Sequence, residues 1–288
     1  MSKLRTASLM CLAVLLLCGP VLADWHAIVI RNSSTGVAPE IKANTAYGVN
    51  ATEFVIALAS QKAAWASGDL DGHKVKEIAQ IAVTRHDDRT RFTAGSGPYV
   101  APYFNIWITD GAGKFAVIAN EPSDAVFTPL YNNGYNLTFA DIANKPCKVY
   151  ENSDKSWLPN NGVGLTFADV AEFTIQAPTP AQLAAGWAGL GTGAPRELGT
   201  NVAYGFNWVF GDTLSNYVSG AEGYVMSEPL AVPSSGGFRL VQTQNADGGW
   251  GWPLWGSSAL NTLGPIAQGL AKAYLQSWDP TMRAALVK

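Results

Sequence analysis

The sequence predicts a mainly β protein, an antiparallel, jelly-roll-like β-sandwich followed by a short α-helical tail. Two apolar runs, "YFNIWIT" and "FAVIAN", flank the turn sequence "DGAGK" between residues 103 and 120, which is typical of a β-hairpin. The 29 glycines and 16 prolines fit a strand-rich body with many turns. Beyond residue 237 the spacing of apolar residues becomes helical.

The first 23 residues are predicted to be a secretory signal peptide. Lys3 and Arg5 form a basic start, and the apolar run over residues 9–17 is too short to cross a bilayer. Residues 21–23, "VLA", suit cleavage after Ala23. We therefore expect a secreted protein, extracellular or periplasmic, with no transmembrane segment.

Charge and cysteine content narrow the choice of partners. Cleavage would remove two of 19 basic residues and none of 22 acidic ones, which leaves a mature net charge of −5. That charge argues against nucleic acid or an anionic membrane surface as partner. Cys147 would be the single remaining cysteine, so the core is expected to form without a disulfide and to bury this thiol.

The body of the sandwich is predicted from residue 24 to residue 232. "WHAIVIR" at residues 25–31 alternates as a first strand. Residues 50–66 are ambiguous, because Asn50 and Glu53 form a capping-box pattern while "EFVIALAS" is an apolar run of strand length. We favour a strand there. Residues 75–83 are predicted to form a short turn and then a strand.

This part of the chain resembles a known class of secreted modules. The order of "SQKAAW", "LDGHKVKEIAQI", "APYFNIWITD" and "VIANEP" resembles that of bacterial jelly-roll modules of the concanavalin-like sandwich type. The resemblance covers about 70 residues and implies a sandwich fold.

Later elements extend the same body. "LTFADIA" at residues 137–143 and "LTFADVA" at 165–171 form a near-repeat, each predicted as a Thr-capped helical turn leading into a strand. "TPAQLAAGWAGL" predicts a short helix, residues 202–210 alternate as a strand, and "GYVMSEPLAV" closes the sandwich.

The tail, residues 233–288, is predicted to be a linker followed by helices. "PSSGG" has linker composition, apolar residues between 263 and 274 share one helical face, and Pro280 opens a last helix. Phe238, Gln242, Gly248 and Trp250 spell a pattern that resembles the QW repeat of terpene-cyclase-like (α/α) toroids. In toroids that Gln and Trp tie a helix end to the following turn. The apolar face at 263–275 would dock on the sandwich, mediate self-association, or mark a shortened form of a larger toroid protein.

Five carboxylates at predicted strand ends or in loops are candidates for catalysis: Asp110, Glu121, Asp212, Glu222 and Glu228. The first three are the preferred ones. Glycoside cleavage needs two carboxyl groups roughly 5 to 10 Å apart. The chain has no G-x-S-x-G, H-E-x-x-H or P-loop motif. The charged run at residues 85–91 could support acid–base chemistry at His86, but we interpret it as a solvated loop.

Two further groups of residues could bind ligands. Asp69 and Asp71 form a D-x-D-G loop that could hold Ca²⁺, or else an ordinary turn; no other cofactor is expected. Trp250, Trp252 and Trp255 crowd one turn beside Asp247, where aromatic faces could stack on sugar rings. The alternative for Trp250 is a structural role at a helix corner.

The sequence therefore favours a secreted extracellular or cell-surface binding protein without catalytic activity, and a carbohydrate as its ligand. The first alternative is a polysaccharide-degrading enzyme, lyase or hydrolase, or an accessory part of one. The second is a structural surface or matrix protein.

Overall fold

The computed structural model describes most of the chain after residue 24. The described residues are 25–88, 102–121, 124–127, 130, 134–185, 193–212, 220–234, 240–241, 243–251, 257–277 and 280–288. They fall into two compact units, one ending at Pro233 and one beginning at Ser234. The predicted signal peptide lies outside the described residues.

The first unit contains two antiparallel sheets, and the predicted β-sandwich is confirmed. The larger sheet has eight strands in the order β1-β4-β12-β6-β7-β9-β10, with β11 also paired to β6. Its strands are β1 (His26–Arg31), β4 (Lys62–Ser67), β6 (Tyr103–Thr109), β7 (Phe115–Ala119), β9 (Pro146–Asn152), β10 (Leu165–Thr166), β11 (Thr174–Ile175) and β12 (Phe206–Phe210).

The smaller sheet has five strands in the order β2-β3-β13-β5-β8. They are β2 (Glu40–Asn44), β3 (Ala51–Val55), β5 (Ile78–Arg85), β8 (Gly134–Leu137) and β13 (Tyr224–Pro233). Short helices α1 (Phe139–Ile142) and α2 (Pro180–Ala184) and 3₁₀ turns at Val75–Glu77 and Pro159–Gly162 complete the unit.

The core lies between the two sheets. Strands β6 and β12 alternate, so that Phe104, Ile106 and Trp208 are fully buried against residues of the smaller sheet. The Trp208 indole satisfies its own N–H by donating to the carbonyl of Ala82 across the sandwich, at 3.1 Å. Cys147 is free and buried, as predicted, and burial raises the pKa of its thiol, which keeps it protonated and unreactive.

Most predicted elements of this unit are confirmed. The hairpin is β6 and β7, and the ambiguous region gives β3 and β4 rather than a helix. The near-repeat also has a common structure: Asp141 accepts the amide and hydroxyl of Thr138, and Asp169 does the same for Thr166. Only the first copy forms a helix, α1.

The second unit contains the helices α3 (Leu260–Ser277) and α4 (Pro280–Val287), which contact each other. A small apolar cluster holds it together, formed by Trp250, Leu270, Met282 and Ala285. Pro280 opens α4 as predicted, while Leu263 on the predicted apolar face is 42% exposed. Among the described helices, none has both the length and the hydropathy needed to cross a membrane.

Candidate functional site

The outer face of the larger sheet carries polar and aromatic side chains. Because side chains alternate along a strand, Tyr103, Asn105 and Trp107 of β6 point away from the core. The connection between β11 and β12 covers part of this face. Its Gly205 carbonyl accepts the Trp107 amide at 2.9 Å, and its Pro195 carbonyl accepts the Trp107 indole at 3.0 Å.

Lys62 lies on the same face, almost entirely buried, with 2% of its surface exposed. Its Nζ donates to the carbonyl of Gly193 at 3.0 Å. It also lies 5.6 Å from the centre of the Tyr103 ring and 5.2 Å from that of Tyr150. One carbonyl and two aromatic faces therefore surround the ammonium group.

These contacts show that the outer face is concave. Lys62 is on β4 and Tyr150 is on β9, four strand positions apart. In a flat sheet that offset is roughly 19 Å. The 5.2 Å between Nζ and the Tyr150 ring requires the sheet to curve so that the two strands approach each other.

Burial and neighbouring charges change the ionisation of this group. Burial lowers the pKa of Lys62 to about 8; the Asp212 charge opposes that shift, and the Arg31 charge adds to it. Burial also raises the pKa values of Tyr103 and Tyr150 well above the usual value. Both tyrosines therefore stay neutral.

The concave face has unused hydrogen-bonding capacity. Asn105 and Asn207 are cross-strand partners with no exposed surface. Both side-chain polar atoms of Asn105, the Asn207 oxygen and the Tyr150 hydroxyl have no hydrogen-bond partner among the residues that the structure describes. Buried groups of this kind normally bond to protein or to ordered water, so these positions suit internal water molecules.

An open cavity of about 530 Å³ lies at one edge of this region. Its lining is mostly polar: Ile30, Arg31, Asn32, Ser33, Ser34, Ser60, Arg196 and Leu198. We call it the arginine cavity. Its size falls in the range of small-molecule binding sites.

Hydrogen bonds fix the wall of the arginine cavity. Arg31 donates from Nε to the Ser60 carbonyl at 2.6 Å and from NH2 to Asp212 Oδ1 at 3.0 Å. The Ser60 amide donates to the Asp212 carbonyl at 3.0 Å, which holds Ser60 in the left-handed region at φ 71°. A serine in this region is strained, and such strain is often found at binding sites.

Arg196 is the second cation of the cavity. It is half-buried, and within the described part of the chain it makes no ion pair or hydrogen bond. The adjacent Glu197 is engaged elsewhere, since it accepts the hydroxyl of Thr200 at 2.9 Å. The guanidinium of Arg196 therefore keeps its donors for water or a ligand.

Each of the three preferred catalytic carboxylates has a different partner in the structure. Asp110 caps the β6–β7 turn by accepting the amides of Ala112 and Lys114. Glu121 pairs with Lys148 at 2.7 Å. Asp212 pairs with Arg31 beside the cavity. Burial raises the pKa of Tyr103, and the charges of Asp212 and Glu121 add to that shift.

The predicted tryptophan site lies in the second unit. Trp250 is 4% exposed, belongs to the apolar cluster of the second unit and donates from Nε1 to the Leu240 carbonyl at 2.7 Å. Asp247 accepts the Gly249 amide and the Ser258 hydroxyl. Trp252, Trp255 and Gln242 lie outside the described residues.

The predicted calcium loop turns one carboxylate inward. Asp71 Oδ1 is buried and meets no donor at good hydrogen-bond geometry, although the Gly205 amide faces the carboxyl group. Burial raises the pKa of Asp71 to about 6, and the Gly205 amide opposes this. The described residues contain no group of three or more His, Cys, Asp or Glu able to hold a metal, so Asp69 and Asp71 would need backbone or water ligands.

We expect Asp71→Asn to stabilise the protein at neutral pH. The folded-state pKa is raised, so the carboxyl group favours folding below pH 4 and loses that contribution as pH rises through about 6. Removing the ionised form should raise the free energy of unfolding at pH 7 by about 2 kcal/mol, after allowance for partial exposure. Urea denaturation at pH 4 and pH 7 measures this. A variant equally destabilised at both pH values would contradict it.

The charged run at residues 85–91 is not the solvated loop that we predicted, at least over its described part. Arg85 and Asp87 are buried and ion-paired at 2.9 Å, and the Asp87 carboxylate also accepts the Val225 amide. His86 bonds through Nε2 to the Ser227 hydroxyl at 2.7 Å and stacks on the ring of Tyr47. The error arose because a run of opposite charges looks the same whether or not other strands cover it.

Sequence reasoning missed Arg31, Lys62 and Arg196. A lysine between Gln61 and the apolar "AAWA" run is the only local signal for any of them. Comparison of the chain with protein-family models, with curated proteins and with solved structures gives no match.

Proposed function

We propose that the protein is a secreted binding protein whose ligand is a carbohydrate, and that it works without catalysis. The arginine cavity supports this proposal most directly. Its lining offers hydroxyl, amide and guanidinium groups, the donors and acceptors that pair with sugar hydroxyls, while Ile30 and Leu198 offer apolar contact to a ring.

The state of the candidate carboxylates supports binding over catalysis. Asp110 is used in a turn, and Glu121 and Asp212 are each held by a cation. Secretion is part of the proposal, and the signal-peptide pattern predicted in the first 23 residues supports it.

A cavity-blocking variant tests this function. Ser34 is exposed on the cavity wall, so Ser34→Trp should fill the site without disturbing the core. We expect the wild type to be retained on at least one insoluble polysaccharide in a broad panel and Ser34→Trp to lose most of that retention.

The control is Ser257→Trp, at an exposed serine of the second unit. Equal retention of all three proteins would place the binding site elsewhere, and no retention on any glycan would remove the proposal. New reducing ends or unsaturated products in the same incubations would instead support the polysaccharide-degrading alternative.

A further inference from the structure

The charge of the arginine cavity opposes that of the whole protein. The chain has a formal net charge of −3, and the predicted mature form is more acidic still. Yet both charged side chains that line the cavity, Arg31 and Arg196, are cationic. At physiological salt a charge acts mainly within about 8 Å, so Asp212, 3.0 Å from Arg31, offsets that arginine, and Arg196 is the cation of the lining that has no ion pair in the described part of the chain.

The two arginines differ in how their charge is used. Arg31 is paired with Asp212, whose side chain is 59% exposed, and it also holds the Ser60 carbonyl. Arg196 has neither kind of partner in the described part of the chain. A planar guanidinium with free donors is the protein group best suited to a bidentate contact with a carboxylate or a sulfate.

The groups around Arg196 suit the rest of a sugar. Ser34 and Ser60 supply hydroxyl groups, and Leu198, half exposed, supplies an apolar surface. The cavity is therefore one cationic contact within a wall of neutral hydrogen-bonding groups.

We infer that the arginine cavity binds an acidic sugar, with Arg196 holding the carboxylate or sulfate and the serine hydroxyls holding ring hydroxyls. This inference rests on the proposed function and narrows its ligand to anionic glycans. Arg31 holds the cavity wall in place through Ser60 and Asp212, so substituting it would disturb the wall as well as remove a charge. Arg196 has no such structural contacts in the described part of the chain, so substituting it tests the inference more directly.

The experiment measures binding of the full chain by calorimetry at low ionic strength. The ligands are an oligogalacturonate, a sulfated oligosaccharide, a neutral oligogalactoside, and sodium acetate and sodium sulfate alone. We expect at least one acidic oligosaccharide to bind more tightly than the neutral one, and binding to weaken as salt is added. Which acidic ligand binds identifies the anionic group.

Two substitutions at Arg196 give the decisive comparison. Arg196→Gln should weaken the acidic ligand about tenfold or more, because a charge-assisted hydrogen bond is lost. Arg196→Lys should recover part of the loss, since lysine keeps the charge without the fork of donors. The matched control is Arg283→Gln, which makes the same charge change at an exposed position of α4 and should leave affinity unchanged.

Each contrary result has a separate meaning. Equal binding of the neutral oligosaccharide, or unchanged affinity in Arg196→Gln, would overturn the acidic-sugar inference while carbohydrate binding stands. Acetate or sulfate binding as tightly as the oligosaccharides would overturn the role of the sugar ring. Failure of every glycan would remove the proposed function and this inference together.

Discussion

Replacing Asp87 with alanine should destabilise the protein by about 3 to 5 kcal/mol, the typical cost of removing one partner from a buried ion pair. The side chains of Arg85 and Asp87 are 1% and 0% exposed, and Arg85 also lies 5.3 Å from the centre of the Tyr224 ring. The substitution removes the ionic partner of Arg85 and the acceptor of the Val225 amide together. Urea denaturation at neutral pH measures the loss.

A double variant distinguishes the buried charge from simple loss of packing. Arg85→Met with Asp87→Asn removes both charges and keeps an acceptor for the Val225 amide. We expect it to be clearly more stable than Asp87→Ala, since replacing a whole buried pair often costs little. It also keeps the test valid if Asp87→Ala does not fold. A double variant as unstable as the single one would show that the pair itself stabilises the fold.

The sandwich was predictable because its signals are local. The alternation of Phe104, Ile106 and Ile108 with outward residues, followed by a glycine-containing turn, identifies a hairpin within 18 residues of sequence. The Thr–Asp caps of the near-repeat are likewise contained in four residues. Patterns confined to so few neighbouring residues can be recognised without knowing the order of the strands in the sheets.

The arginine cavity was not predictable because its parts are distant in sequence. Arg31 contacts Ser60 across 29 residues and Asp212 across 181, and these contacts exist only once β1 pairs with β4 and β4 with β12. Each residue by itself looks like an ordinary polar loop position. Asp212 was selected as a carboxylate at a strand end, but its role as the partner of Arg31 depends on tertiary structure.

The burial of Lys62 could not be predicted from the local sequence either. Its outward position on β4 predicts exposure, as for most lysines. The carbonyl of Gly193 and the two tyrosine rings cover it, and they come from segments far along the chain. Its burial is therefore a property of the folded sandwich, and it has a measurable consequence for stability.

We expect the stability difference between the wild type and Lys62→Met to depend on pH. The pKa of Lys62 is about 8 in the folded protein, compared with 10.5 for an exposed lysine. Between pH 8 and pH 10.5 the unfolded chain binds more protons than the folded protein, so stability falls as the pH is lowered through this window. The stability that the neutral amine allows is therefore fully present above pH 10.5 and is lost as the pH falls through 8. The full effect is about 3 kcal/mol, of which about 2 kcal/mol should appear between pH 7 and pH 9.5.

The comparison must be made as a difference between variants, because other groups titrate in the same window. The pKa values of Cys147, Tyr103 and Tyr150 are raised by burial, so these groups favour unfolding as pH rises, opposite in sign to Lys62. They are common to both proteins and cancel.

Relative to Lys62→Met, the wild type should gain stability from pH 7 to pH 9.5, whereas Lys272→Met, at an exposed position of α3, should follow the wild-type curve. Parallel curves for the wild type and Lys62→Met would mean that the ammonium group is well solvated, and that the concave face is open to water at Lys62.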